Sequence, residues 1–193
     1  MADEPSDLTL LAAARDGEER AFVLLYERHR DPVFRFACRM LGSVEAAEDV
    51  AHDCFLGLMT QPLRFDPARA SLRTYLCAAA RNLSFKRLRA EGRELAGDGV
   101  REAAFDGPAL TSLLEGEVAR EVRSAVSALP PLQREVVLLV EYESLSLAEV
   151  AEIAGTEVGT VKARLHRARQ SLRRRLGSVR AQVATVQRHG DGR

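Results

Sequence analysis

The chain has 193 residues, 46% of them hydrophobic and 29% charged, which is enough apolar content for one domain or two small ones and excludes wholesale disorder. Its 28 basic and 28 acidic residues cancel, so net charge by itself argues against a polyanion partner. No apolar run approaches a membrane span, and the acidic start MADEPSDLTL has no basic segment leading into an apolar one, so neither a membrane helix nor a signal peptide is expected. Cys38, Cys54 and Cys77 are odd in number and lack a C-x-x-C pair, which fits a reducing cytoplasm and no disulfide framework.

In chain order, the first unit reads as helices with clear punctuation. Leu8–Arg15 is capped by Ser6 or Asp7 and stops at Gly17; Glu18–His29 follows. Asp31-Pro32 supplies an N-cap and a proline for a further helix ending at Gly42. Ser43 caps the next helix, to about Gln61, in which Val44, Ala47, Ala51, Cys54, Phe55 and Leu58 recur at helical spacing and face a core. The opposite face collects Glu45, Glu48, Asp49, His52, Asp53 and Leu56, an acidic stripe that solubility alone could explain. Ser71 caps a last long helix from Leu72 to Glu91, ending at Gly92, with apolar residues on one side and basic residues on the other.

Glu91–Gly107 is rich in glycine and poor in periodicity, and reads as a flexible acidic linker. Beyond it Pro130-Pro131 opens a helix through Glu143, and Ser146-Leu147-Ala148-Glu149 forms a capping box. That helix stops at Gly155, and Thr156 caps another from about Glu157 to Leu176. Two helices around a tight glycine turn mark a helix-turn-helix. Val161, Leu165, Ala168 and Leu172 line the buried side of the second helix, leaving Thr160, Lys162, Arg164, Arg167 and Arg169 outside.

The zero net charge conceals segregation. Ala68–Ala90 holds six basic residues and no acidic one, and Val158–Arg180 holds eight and no acidic one. Two acid-free stripes flanking an acidic connector form a nucleic-acid-binding pattern more than a solubility pattern.

Three blocks carry a resemblance: AAEDVAHDCFLGLM, FDPARASLRTYLCAAARNLSFKRLR and LPPLQREVVLLVEYESLSLAEVAEIAGTEVGTVKARLHRARQSLRRRL. In that order they resemble the motifs of extracytoplasmic-function (ECF) sigma factors, over nearly all the chain except linker and tail. The resemblance implies an all-α fold of two small domains: a region 2 helical bundle at 1–92, a flexible acidic linker at 93–112, a region 4 helix-turn-helix domain at 113–178 and a polar tail at 179–193. It also implies that Glu48, Asp49, Asp53, Phe55 and Leu56 dock on the clamp helices of the largest subunit of core RNA polymerase. The −10 promoter element would meet Tyr75, Arg81, Asn82, Lys86, Arg87 and Arg89, with Asn82 on a flipped base and the cations on the backbone. The −35 element would meet Glu157, Thr160, Lys162, Arg164 and Arg167 in the major groove. Further implied partners are the flap region of the second polymerase subunit and an anti-sigma factor; the free protein would be a monomer. The family usually has Trp at Met59 and Tyr75, and Asp at Lys86, so this chain has a weaker stacking platform and one more phosphate-directed charge.

Rival readings fare less well. No P-loop, G-x-G-x-x-G, G-x-S-x-G or H-E-x-x-H is present. His52 and Cys54 point to different helix faces and cannot share a metal. No catalytic residue, metal or cofactor is therefore expected. The main alternative is a stand-alone helix-turn-helix regulator, for which the second basic helix and the acidic stripe would be superfluous; a sigma-sequestering adaptor leaves both basic stripes unexplained.

Overall fold

In the computed structural model, residues 4–92 and 117–190 are described, the side chains of 62, 117 and 178–190 excepted. Among the described residues every regular element is helical, as the residue pattern predicts. Ser6 accepts the Thr9 N–H at 3.2 Å and opens α1 (Asp7–Arg15), which buries Leu10, Leu11 and Ala14.

The break expected at Asp31-Pro32 does not occur. A single helix α2 (Glu19–Leu41) runs through Pro32 and ends at Gly42, in the left-handed region at φ 76°. Proline removes the N–H that the Arg28 carbonyl would otherwise receive, but Arg28 and Asp31 are exposed, where water replaces it. Leu25, His29, Val33, Phe36 and Met40 form one buried stripe on both sides of the proline. Packing along that stripe outweighs the local break.

Helix α3 (Val44–Thr60) starts at the Ser43 cap and buries Ala47, Val50, Ala51, Cys54, Phe55 and Leu58. A short 3₁₀ turn at Pro62–Arg64 leads to α4 (Leu72–Ala90), where Ser71 accepts the Thr74 N–H at 3.1 Å. Helix α2 is the hub of this unit, packed on α1, α3 and α4.

The second unit comprises α5 (Glu117–Ser127), α6 (Pro131–Val137), α7 (Leu147–Ala154) and α8 (Val158–Gly190). The expected helix through Glu143 is in fact α6 followed by a π-helical turn at Leu138–Tyr142, closed by the Glu143 N–H on the Leu138 carbonyl at 3.0 Å. A wider turn re-aims the residues that follow it. Helix α8 passes the expected end at Leu176 and runs on through 179–190, part of the segment expected as a polar tail. Gly177 just past that point costs about 1 kcal/mol, too little to stop a long helix. The linker expected at 93–112 lies outside the described residues.

The two units are not held apart. Helix α4 packs on α7, and α2 touches α5, α6 and the π-turn, so buried residues of both units form one continuous apolar cluster.

Candidate nucleic-acid interface

The helix-turn-helix is assembled by local chemistry. Ser146 Oγ accepts the Glu149 N–H at 3.2 Å while the Glu149 carboxylate accepts the Ser146 N–H at 2.8 Å, so the expected capping box is complete. Bonds from the Ser146 hydroxyl and backbone hold the Glu149 carboxyl below its usual range. Gly155 ends α7 at φ 61°, and α8 begins three residues on. Val161, Leu165 and Ala168 anchor α8 to the core. Glu157, Lys162 and Arg167 are exposed, and Thr160 is partly so, as a groove-facing surface requires.

Arg164 is different. Its Nη1 donates to the Glu135 carboxylate at 3.1 Å, and its side chain keeps 21% of its exposure. The same carboxylate receives Arg81 Nε at 2.8 Å, so a residue of the −35 set and one of the −10 set share one acid. Glu135 itself is fully enclosed. Burial pushes its carboxyl above the usual range, against the opposing pull of Arg81 and Arg164.

The remaining −10 set is spread along α4. Asn82 is exposed, its Oδ1 accepting from Arg81 Nη1 at 3.1 Å. Arg81 also lies over the Phe85 ring at 4.6 Å. Lys86 and Arg89 face solvent. Tyr75 is half-buried, its ring 5.3 Å from Phe65, leaving part of its face open. Arg87 donates to Asp49 at 3.2 Å, tying the basic helix to the acidic face of α3. That pair is solvent-exposed and worth about 0–1 kcal/mol, so either partner can be recruited elsewhere.

On α3, Glu48, Asp49, Asp53 and Leu56 are all exposed and share one face, Leu56 at 51%. Phe55 departs from the expected docking set. It is 2% exposed and packs edge-on against Tyr26 with ring centroids 4.8 Å apart. Its position one residue before Leu56 turns it about 100° round the helix, into the core. It supports α3 from the core side.

Several residues at the junction of the units escaped the sequence reading. Arg73 donates to the Glu143 carboxylate at 3.2 Å, and Arg39 stacks on Tyr142 at 4.4 Å. Buried Arg134 donates to the carbonyls of Met40, Ser127 and Leu129, which stitches α6 to the end of α2. The one available signal was Gln133-Arg134-Glu135 abutting the apolar run Val136–Val140, where charged residues at a core edge demand partners. Among the described residues no cluster of His, Cys, Asp or Glu is placed to hold a metal, and no helix is long and apolar enough to cross a membrane.

Comparison with known proteins bears on this arrangement directly. The Sigma-70 region 2 family profile matches residues 25–94, and the Sigma-70, region 4 profile matches residues 119–172. The ECF RNA polymerase sigma factor SigC of Mycobacterium tuberculosis is 32% identical over 89% of this chain and 91% of its own length. The chain belongs to the ECF sigma factors. SigW of Bacillus subtilis is 31% identical over 84% of this chain and 92% of its length. Among solved structures, CnrH in complex with the cytosolic domain of CnrY is similar at a TM-score of 0.66 and 27% identity, covering 89% of this chain and 97% of that chain. The first unit of this sigma factor is thus region 2 and the second region 4, and it serves RNA polymerase in promoter-specific transcription initiation. A stand-alone helix-turn-helix regulator is not favoured, because the region 2 match spans the basic α4 and the acidic α3 together.

Proposed function

We propose that this ECF sigma factor binds core polymerase through Glu48, Asp49, Asp53 and Leu56 on α3, reading charge on the clamp helices of the largest subunit. Helix α4 takes the −10 element, with Asn82 on a flipped base, Tyr75 beside it, and Arg81, Lys86, Arg87 and Arg89 along the strand. Helix α8 enters the major groove at the −35 element with Glu157, Thr160, Lys162, Arg164 and Arg167. Region 4 meets the flap region of the second subunit. The linker at 93–112, between a region 2 domain at 1–92 and a region 4 domain at 113–178, spans the two promoter contacts.

The observation that carries this reading is the pairing of an exposed acidic face on α3 with two acid-free basic helices in one chain. The protein performs no chemistry of its own; its charged faces position polymerase and DNA. It works as a monomer in the cytoplasm, without metal or cofactor. An anti-sigma factor is a further partner, supported by the similarity to CnrH, which is solved with the cytosolic domain of CnrY.

The test is run-off transcription with purified core polymerase on fragments upstream of its own gene. Start sites that appear only when the protein is added, together with co-purification of core, support the assignment. Duplex binding with no effect on core would overturn it.

A further inference from the structure

Arg39, in the last turn of α2, is a partly buried cation at the seam with α5. Among the described residues no carboxylate lies within ion-pair distance of it. We infer that the cleft it borders is a binding site for a small free oxyanion of the phosphate class, held between Arg39 of region 2 and Arg123 of region 4.

The lining carries the first part of the argument. Arg39 comes from α2, Arg123, Val126 and Ser127 come from α5, and Tyr142 comes from the π-turn, so guanidinium groups of two units border one space. The Arg39 guanidinium lies over the Tyr142 ring at 4.4 Å. A guanidinium stacked by its face keeps its edge N–H groups for an acceptor in its own plane, which is how it grips an oxyanion. Ser127 lends no proton, because its hydroxyl donates to the Ser124 carbonyl at 2.9 Å. The arginines are therefore the charged donors.

Charge balance carries the second part. Burial pushes the Arg39 guanidinium below its ordinary pKa, and Arg35, one turn earlier on α2, adds repulsion. Glu143 attracts it, but that carboxylate is already paired with Arg73 at 3.2 Å. A bound anion supplies the missing negative charge.

Size selects the ligand. The enclosed space is ≈ 10 Å³, which takes about one oxygen-sized atom, and the cleft opens to solvent beyond it. A phosphate group places one oxygen inside and the others at the mouth, whereas a nucleobase ring does not fit. A phosphate within a DNA strand carries a sugar on each side and calls for an open groove, so a free anion is the occupant.

The experiment titrates the full chain with inorganic phosphate at constant ionic strength, chloride making up the difference, and reads phosphorus NMR linewidth and melting temperature. The expected result is saturable broadening of the phosphate signal and a melting temperature that rises with phosphate. Arg39→Gln and Arg123→Gln should each weaken binding by about tenfold or more, the worth of one hydrogen bond to a charged group, and should abolish the rise. Loss of the rise separates the site from the general stabilisation that phosphate salts give. Arg167→Gln, on the exposed side of α8, should keep both signals. Circular dichroism checks the fold, and if one of the two seam variants fails to fold the other decides. Broadening that does not saturate, or an equal loss in Arg167→Gln, overturns the site as diffuse attraction to the basic helices. Affinity for a random-sequence duplex that falls as far as phosphate affinity in both seam variants would give the cleft to a DNA strand and overturn the free anion.

Discussion

Phe55 and Leu56 are neighbours on α3 with opposite surroundings, and the pair separates folding from docking. Phe55→Ala empties a site in the core beside Tyr26 and should cost about 3–5 kcal/mol in chemical denaturation. Leu56→Ala should leave the denaturation midpoint in place while weakening core polymerase binding, as should Asp49→Lys; pull-down with core reads both, and unchanged affinity in both would remove this face from the docking site. The cysteines give a second residue-scale test. Cys38, Cys54 and Cys77 are buried and free, and burial lifts the thiols of Cys54 and Cys77 to about 12. Almost no thiolate forms near neutral pH, so a thiol reagent should react slowly with the native protein and rapidly with all three after unfolding. Fast native labelling would contradict the burial.

At the scale of single elements, the helix-turn-helix depends on a cap and a turn. Ser146→Ala should cost about 1 kcal/mol of thermal stability by stripping the cap of α7. Glu149 adds a pH signature. Its folded pKa is depressed, so its contribution is present above the ordinary carboxylate range and is lost as pH falls through and below that range. Melting temperature against pH should show this acid-side loss, and Glu149→Gln should flatten it. Gly155 is left-handed, with open space where a Cβ would sit, so Gly155→Ala should cost about 1–2 kcal/mol through backbone strain alone. On α8, Arg164→Ala should weaken −35 duplex binding by about 1–3 kcal/mol if the side chain reads a base. An equal loss on every sequence would make it a phosphate contact.

For the whole molecule, Glu135 behaves oppositely to Glu149. It is packed between Arg81 of α4 and Arg164 of α8, and burial raises its pKa despite both. A raised carboxyl binds protons on folding, so its contribution is full below the ordinary range and is lost as pH rises through the raised value. The fold should therefore lose stability as pH rises above the ordinary carboxylate range, seen as a falling melting temperature. Glu135→Gln, which keeps the shape without the charge, should stay folded and lose that dependence; a pH response that persists would assign it to another group.

How much of this was legible beforehand differs from element to element. Ser43, Ser71, the Ser146–Glu149 box and Gly155 marked helix ends correctly, because capping is decided within about four residues. Pro32 misled for the same reason: the local rule is sound, but the buried stripe from Leu25 to Met40 is a property of the assembled bundle. Segregated charge and the three motif blocks sufficed for the family. By contrast, the burial of Phe55 against Tyr26, the widening at Leu138–Tyr142 and the meeting of Arg81 with Arg164 at Glu135 join residues far apart in the chain. Helix type, caps and charge patterning follow from short-range interactions, so the amino-acid sequence determined them by itself. Which charged residue is neutralised by which depends on how the packed surfaces exclude water, and only the tertiary structure decided that.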